Sequence, residues 1–194
     1  MLRIRMLHQF LTKALFAACA VLALTAAQAL AGDYEKGVSA FRRGDYAEAR
    51  VLLKPLAQDG DPYAQFAIAV MYDDGLGLPQ NFGRALNWYG KAAQAGLVDA
   101  QYMAGRFHGG GRGVKQSSPL AFFWFDLAAA GGHPQAPRLR DQQRSQVSPA
   151  MRPRVEDEAV KWLAAHPHQF SCRERRCIFP AWTAKPGWNP LGLE

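Results

Sequence analysis

A period of thirty-six residues constrains this chain more than any other feature of its 194-residue sequence. Residues Asp61–Gly96 and Leu97–Gly132 align without a gap. At that offset Ala64-Gln65-Phe66 falls on Ala100-Gln101-Tyr102, Gly75 and Gly77 fall on Gly111 and Gly113, and Gln80 falls on Gln116. Ala85 falls on Ala121, Trp88-Tyr89 on Trp124-Phe125, Ala92-Ala93 on Ala128-Ala129, and Gly96 on Gly132. The offset also reaches back to Ala49, Leu52-Leu53, Ala57 and Gly60, which makes residues 32–60 a truncated first unit. A period of this length means stacked units, each too small to bury its own apolar face.

Each unit reads as two helices. Ala64, Ile68, Met71 and Tyr72 form one apolar stripe, and Ala85, Trp88, Tyr89, Ala92 and Ala93 form the next. Asn81 and Ser117 or Ser118 are the expected N-caps, with Pro119 at a first helical position. Gly60, Gly96 and Gly132 are expected to end the alanine-rich helices in the left-handed conformation. Residues 133–165 read as capping helices. An arginine-rich helix runs to about Gln146, and another follows Ser148-Pro149, with Pro153 either marking its start or kinking it. Residues 166–194 have no helical or alternating period and read as an irregular tail.

The pattern Ala64-Gln65-Phe66, Met71-Tyr72, Gly75-x-Gly77, Pro79-Gln80, Ala85, Trp88-Tyr89, Lys91-Ala92-Ala93 and Gly96 resembles the Sel1-like repeat, a relative of the tetratricopeptide repeat. The chain departs from it at Ile68-Ala69, where Leu-Gly is usual, and at His108, where Tyr is usual. The resemblance implies an all-α solenoid that scaffolds envelope assembly, secretion or signalling complexes. The first helix of each unit would line its concave face. The positions the pattern leaves free on those helices are Tyr63, Ala67 and Val70, then Met103, Arg106 and His108. They are the expected partner-binding groove.

The first thirty-one residues read as a secretion signal. Arg3, Arg5 and Lys13 precede an apolar run from Ala14 to Ala27, too short to span a bilayer comfortably. Two small-x-small sites follow, Ala27-Gln28-Ala29 and Ala29-Leu30-Ala31, and cleavage is expected after Ala31. The product would be periplasmic or secreted, with no stable membrane insertion. Three basic residues and no acidic one leave with the signal, so the formal charge falls from +7 to +4. Cys19 leaves too. Cys172 and Cys177 remain, and in an oxidising compartment they are expected to form one disulfide.

No motif frames a catalytic centre, a metal site or a cofactor. His108-Gly109-Gly110-Gly111-Arg112-Gly113 lacks the Gly-Lys-Ser/Thr of a phosphate loop and occupies the register of an inter-helix turn. His166, His168, Cys172 and Cys177 lack paired metal-ligand spacing. The carboxylates Asp73-Asp74 are expected at a helix end facing solvent. Arg138, Arg140, Arg144, Arg152 and Arg154 form a candidate basic patch for an acidic protein or an anionic polysaccharide; nucleic acid fits poorly with export. The expected function is a non-enzymatic adaptor holding a protein or peptide partner. The second reading is an envelope factor binding anionic glycan. The resemblance also admits a β-lactam-interacting hydrolase, though no residue here supports one.

Overall fold

The computed structural model describes residues 32–167, which form eight helices with no strand among them. They are α1 (residues 32–43), α2 (Tyr46–Gln58), α3 (Pro62–Asp74), α4 (Phe82–Gln94), α5 (Val98–Gly110), α6 (Ser118–Ala130), α7 (Ala136–Gln146) and α8 (Arg152–Ala165). The expected all-α solenoid is what the chain forms. From α2 to α7 each helix packs on the next, and α6 also carries α8. The expected signal with Cys19, His168, and the expected disulfide of Cys172 and Cys177 lie outside the described residues.

The helix ends follow their side chains. Asp61 Oδ1 accepts from the Ala64 amide at 2.7 Å, Asn81 Oδ1 from Arg84 at 2.9 Å, and Ser117 Oγ from Leu120 at 3.4 Å. Ser117 rather than Ser118 is thus the cap of α6. Gly60, Gly96 and Gly132 close α2, α4 and α6 with positive φ, as the period implies. The last helix begins beside Pro153 and not at Pro149, because a proline in the first turn lacks only a hydrogen bond the helix never makes.

The repeated glutamines are structural. Gln65 Nε2 donates to the Ala57 carbonyl at 3.1 Å, and Gln101 makes the same bond to Ala93 at 3.4 Å. Gln80 and Gln116 donate to the Asp73 and Gly109 carbonyls, at 2.7 and 2.8 Å. Each takes up a carbonyl that a helix end leaves without an internal partner. The alanines at 64, 85, 92, 93, 100, 121 and 128 are fully buried, so neighbouring helices approach closely. Larger rings fill the space between units: Tyr89 meets Phe66 edge-on at 5.3 Å and Phe107 at 5.4 Å.

The glycine turns set the spacing between units. Gly77 (φ +67°) sits so close to the start of α2 that a Cβ would lie 2.6 Å from Tyr46 Cβ. Gly113 (φ +66°) does the same at α4, where a Cβ would lie 2.5 Å from the Phe82 carbonyl carbon. Each turn therefore abuts the second helix of the preceding unit.

Candidate functional site

The positions expected to form a concave groove are mostly interior. Ala67, Val70, Met103 and Arg106 are buried, while Tyr63 and His108 are half-buried. This corrects the expectation of an open row. Helices α3 and α5 are buried around their whole circumference, from Ala64 to Met71 and from Ala100 to Phe107. Apolar composition on every face is the mark of a helix enclosed on every face. Tyr63 lies edge-on to Tyr34, with ring centroids 6.4 Å apart.

Arg106 belongs to a charge cluster inside the stack. Asp73, expected in solvent, is 2% exposed and accepts from Arg112 Nη2 at 2.9 Å. The Tyr89 hydroxyl donates to its other oxygen over a long 3.5 Å. The Arg112 guanidinium also covers the Phe82 and Phe107 rings, at 4.3 and 5.0 Å. Burial pushes the Asp73 carboxyl above its usual range, against the opposing pull of Arg112 and Arg106. Burial also lowers the Arg106 guanidinium. The loop of one unit is thereby tied to the first helix of the unit before it.

The expected basic patch is largely engaged. Arg140 pairs with Asp141 at 2.9 Å and approaches Asp126 at 3.8 Å, while Arg144 pairs with Glu156 at 2.9 Å. Arg152 donates to the Val147 carbonyl at 2.9 Å. Arg138 and Arg154 are exposed. Pairs of this kind cancel local charge more than they add stability.

An open surface feature lies elsewhere. Helices α4 and α6 stand apart above α5 and leave a cleft of about 390 Å³. Leu86, Asn87, Gly90, Lys91 and Gln94 line it from one face of α4. Ala104 and His108 form the α5 side, and Trp124 closes it from α6. The Lys91 ammonium rests 4.2 Å over the Trp88 ring. His108 Nδ1 is buried without a hydrogen-bond partner, and burial lowers this imidazole below its ordinary value. His108 is thus the one expected groove residue that the structure gathers into this open site, beside Lys91 and Trp124 of the repeat pattern and residues outside it. The signal lay in mismatches between units: His108, already a departure from the repeat, stands where α3 has Tyr72, and Gly90, which the pattern passed over, stands where α2 has Lys54.

Gly90 has no atom within 4 Å of where a Cβ would sit. Gly90→Ala is therefore expected to raise the unfolding free energy by about 1 kcal/mol, since a helix interior favours alanine over glycine by that much. A higher denaturant midpoint at unchanged slope would show it.

The Sel1 repeat matches this chain at residues 25–61, 62–97 and 98–133, more than half of its length. The first match reaches back past Gly32. Among solved structures, a Sel1 repeat protein from Oxalobacter formigenes is 32% identical at a TM-score of 0.54, covering 58% of this chain and 88% of that one. A protective antigen present in uropathogenic Escherichia coli strains, displaying an SLR fold, is 22% identical at a TM-score of 0.64. That match covers 70% of this chain but only 30% of the antigen, and it shows likeness of fold alone.

Proposed function

Because this chain belongs to the Sel1 repeat family, we propose that it is a periplasmic adaptor holding a protein or peptide partner within an envelope assembly, secretion or signalling complex. Sel1 repeats generally mediate protein–protein interaction, and the family is one of non-catalytic scaffolds. The observation that carries the reading for this chain is how its interior polar groups are used. Gln65, Gln101, Asp73 and Arg112 tie helix to helix and unit to unit, which makes a frame fixed enough to present a surface. The cleft between α4 and α6 is an open place on that frame, among the described residues, where a partner fits. The basic start, the short apolar run and the small residues before Gly32 support the periplasmic part of the reading.

Expressed with its leader in a diderm bacterium, the protein is expected in the periplasmic fraction with Gly32 as its first residue. With a photocrosslinking side chain at Asn87, the exported protein is expected to give a discrete heavier species. Intact-mass measurement and immunoblotting read both outcomes. An unprocessed cytoplasmic chain would sink the export part; absence of any discrete adduct would sink the adaptor part.

A further inference from the structure

The repeats supply an internal control for the cleft between α4 and α6. At the register of Gly90, the other second helices carry Lys54 in α2 and Asp126 in α6. At the register of His108 the preceding unit carries Tyr72, whose ring lies 5.6 Å from the Arg84 guanidinium. Among the described junctions between units, the one at α4–α5 thus has both side chains cut back. Packing does not require the glycine, since nothing approaches its missing Cβ within 4 Å, and a helix is weakened by it. Its consequence is the open space itself.

That space has a definite chemistry. Leu86, Ala104 and Trp124 give it an apolar wall, and Asn87 and Gln94 offer amides that both donate and accept. Lys91 is the one formally charged residue in its lining, and no acid accompanies it. From Leu86 to Gln94 the α4 face runs about 12 Å, which an extended chain covers with about three to four residues. We propose that the cleft binds a short extended acidic segment of a partner protein, with an apolar side chain over Gly90 against Trp124 and an adjacent carboxylate on Lys91. The amides of Asn87 and Gln94 take main-chain N–H and C=O groups of that segment. The proposal rests on the adaptor reading and specifies the chemistry of its partner.

The test is a titration of the ¹⁵N-labelled mature protein with N-acetyl-leucyl-glutamyl amide, followed by NMR. The Gly90 amide and the Trp124 indole N–H are expected to shift and to saturate with a dissociation constant of about 1 mM, as suits so small a probe. Gly90→Leu, which fills the floor, is expected to abolish the Trp124 indole shift. Lys91→Gln, and equally a glutaminyl probe, are expected to weaken binding about fivefold, the scale of an exposed ion pair. Unmoved Gly90 and Trp124 signals would overturn the proposal, as would equal affinity for the glutamyl and glutaminyl probes. Shifts with glucuronic acid and none with the dipeptide would also overturn it, by making this a sugar-acid site. Crosslinking at Asn87 without dipeptide binding would remove the ligand chemistry and leave the adaptor reading standing.

Discussion

Gly113→Ala is expected to cost about 3–4 kcal/mol of unfolding free energy, where Gly111→Ala costs about 1–2. Both glycines have nearly the same left-handed φ, +66° and +68°, so alanine carries the same conformational penalty at each. They differ in what the new methyl group meets. At Gly111 the nearest atom is Gln116 Cβ at 3.3 Å, a tight contact that a shift of a few tenths of an ångström relieves. At Gly113 it is Phe82 carbonyl carbon at 2.5 Å and the Gly83 amide nitrogen at 2.6 Å, both main-chain atoms opening α4. The loop cannot accept the methyl without moving a whole helix. In a stack where each unit touches only its neighbours, the strain falls on one interface. Denaturant unfolding of the two variants side by side separates the contact from the dihedral. Equal losses would mean that the loop does not set the spacing between units.

How much was legible in the sequence depends on how far apart the deciding residues lie. The helix pairs and the glycines that end them follow from contacts within one unit, and periodicity marks such contacts directly. Local pattern places Asp73 in solvent because two acids in a row at a helix end look solvated. Its burial is decided by Arg112, thirty-nine residues later, arriving from the next unit's loop. Nothing near Asp73 announces that. The groove positions fail for another reason: an apolar residue left free by a repeat pattern can face a partner or the interior, and periodicity does not distinguish the two. Ala67, Val70 and Met103 face the interior. The cleft is a third case. It exists by subtraction, at Gly90 and His108; the departure at His108 is visible in the repeat, but matching the units passes over Gly90, and nothing in the period pairs the two.

The Asp73–Arg112 pair gives the other large effect, and its pH dependence separates charge from packing. Removing one member of a buried pair leaves the other charge without compensation, which costs about 3–5 kcal/mol in fully buried sites. The Arg112 side chain is 21% exposed and Arg106 stays close to Asp73, so about 2–3 kcal/mol is expected for Arg112→Leu near neutral pH. Leucine suits the space, because Leu76 holds this register in the preceding unit and packs against the core. The folded Asp73 carboxyl already titrates above its unfolded value, mainly through burial, with Arg112 the largest opposing influence. A raised carboxyl contributes stability that is fully present below the unfolded value, about 3.9, and is lost as pH rises through the folded one. Taking Arg112 away pushes the folded value higher still. The deficit of Arg112→Leu is therefore expected to be largest at about pH 7.5 and to shrink toward about pH 4.5, as the carboxyl gains its proton. Asp73→Asn combined with Arg112→Leu is expected to recover most of the loss and to flatten the profile, because an uncharged amide can still accept from Tyr89. Chemical unfolding of the single and double variants across that range gives the coupling directly. A deficit that stays constant with pH would assign the role of Arg112 to its stacking on Phe82 and Phe107 rather than to its charge.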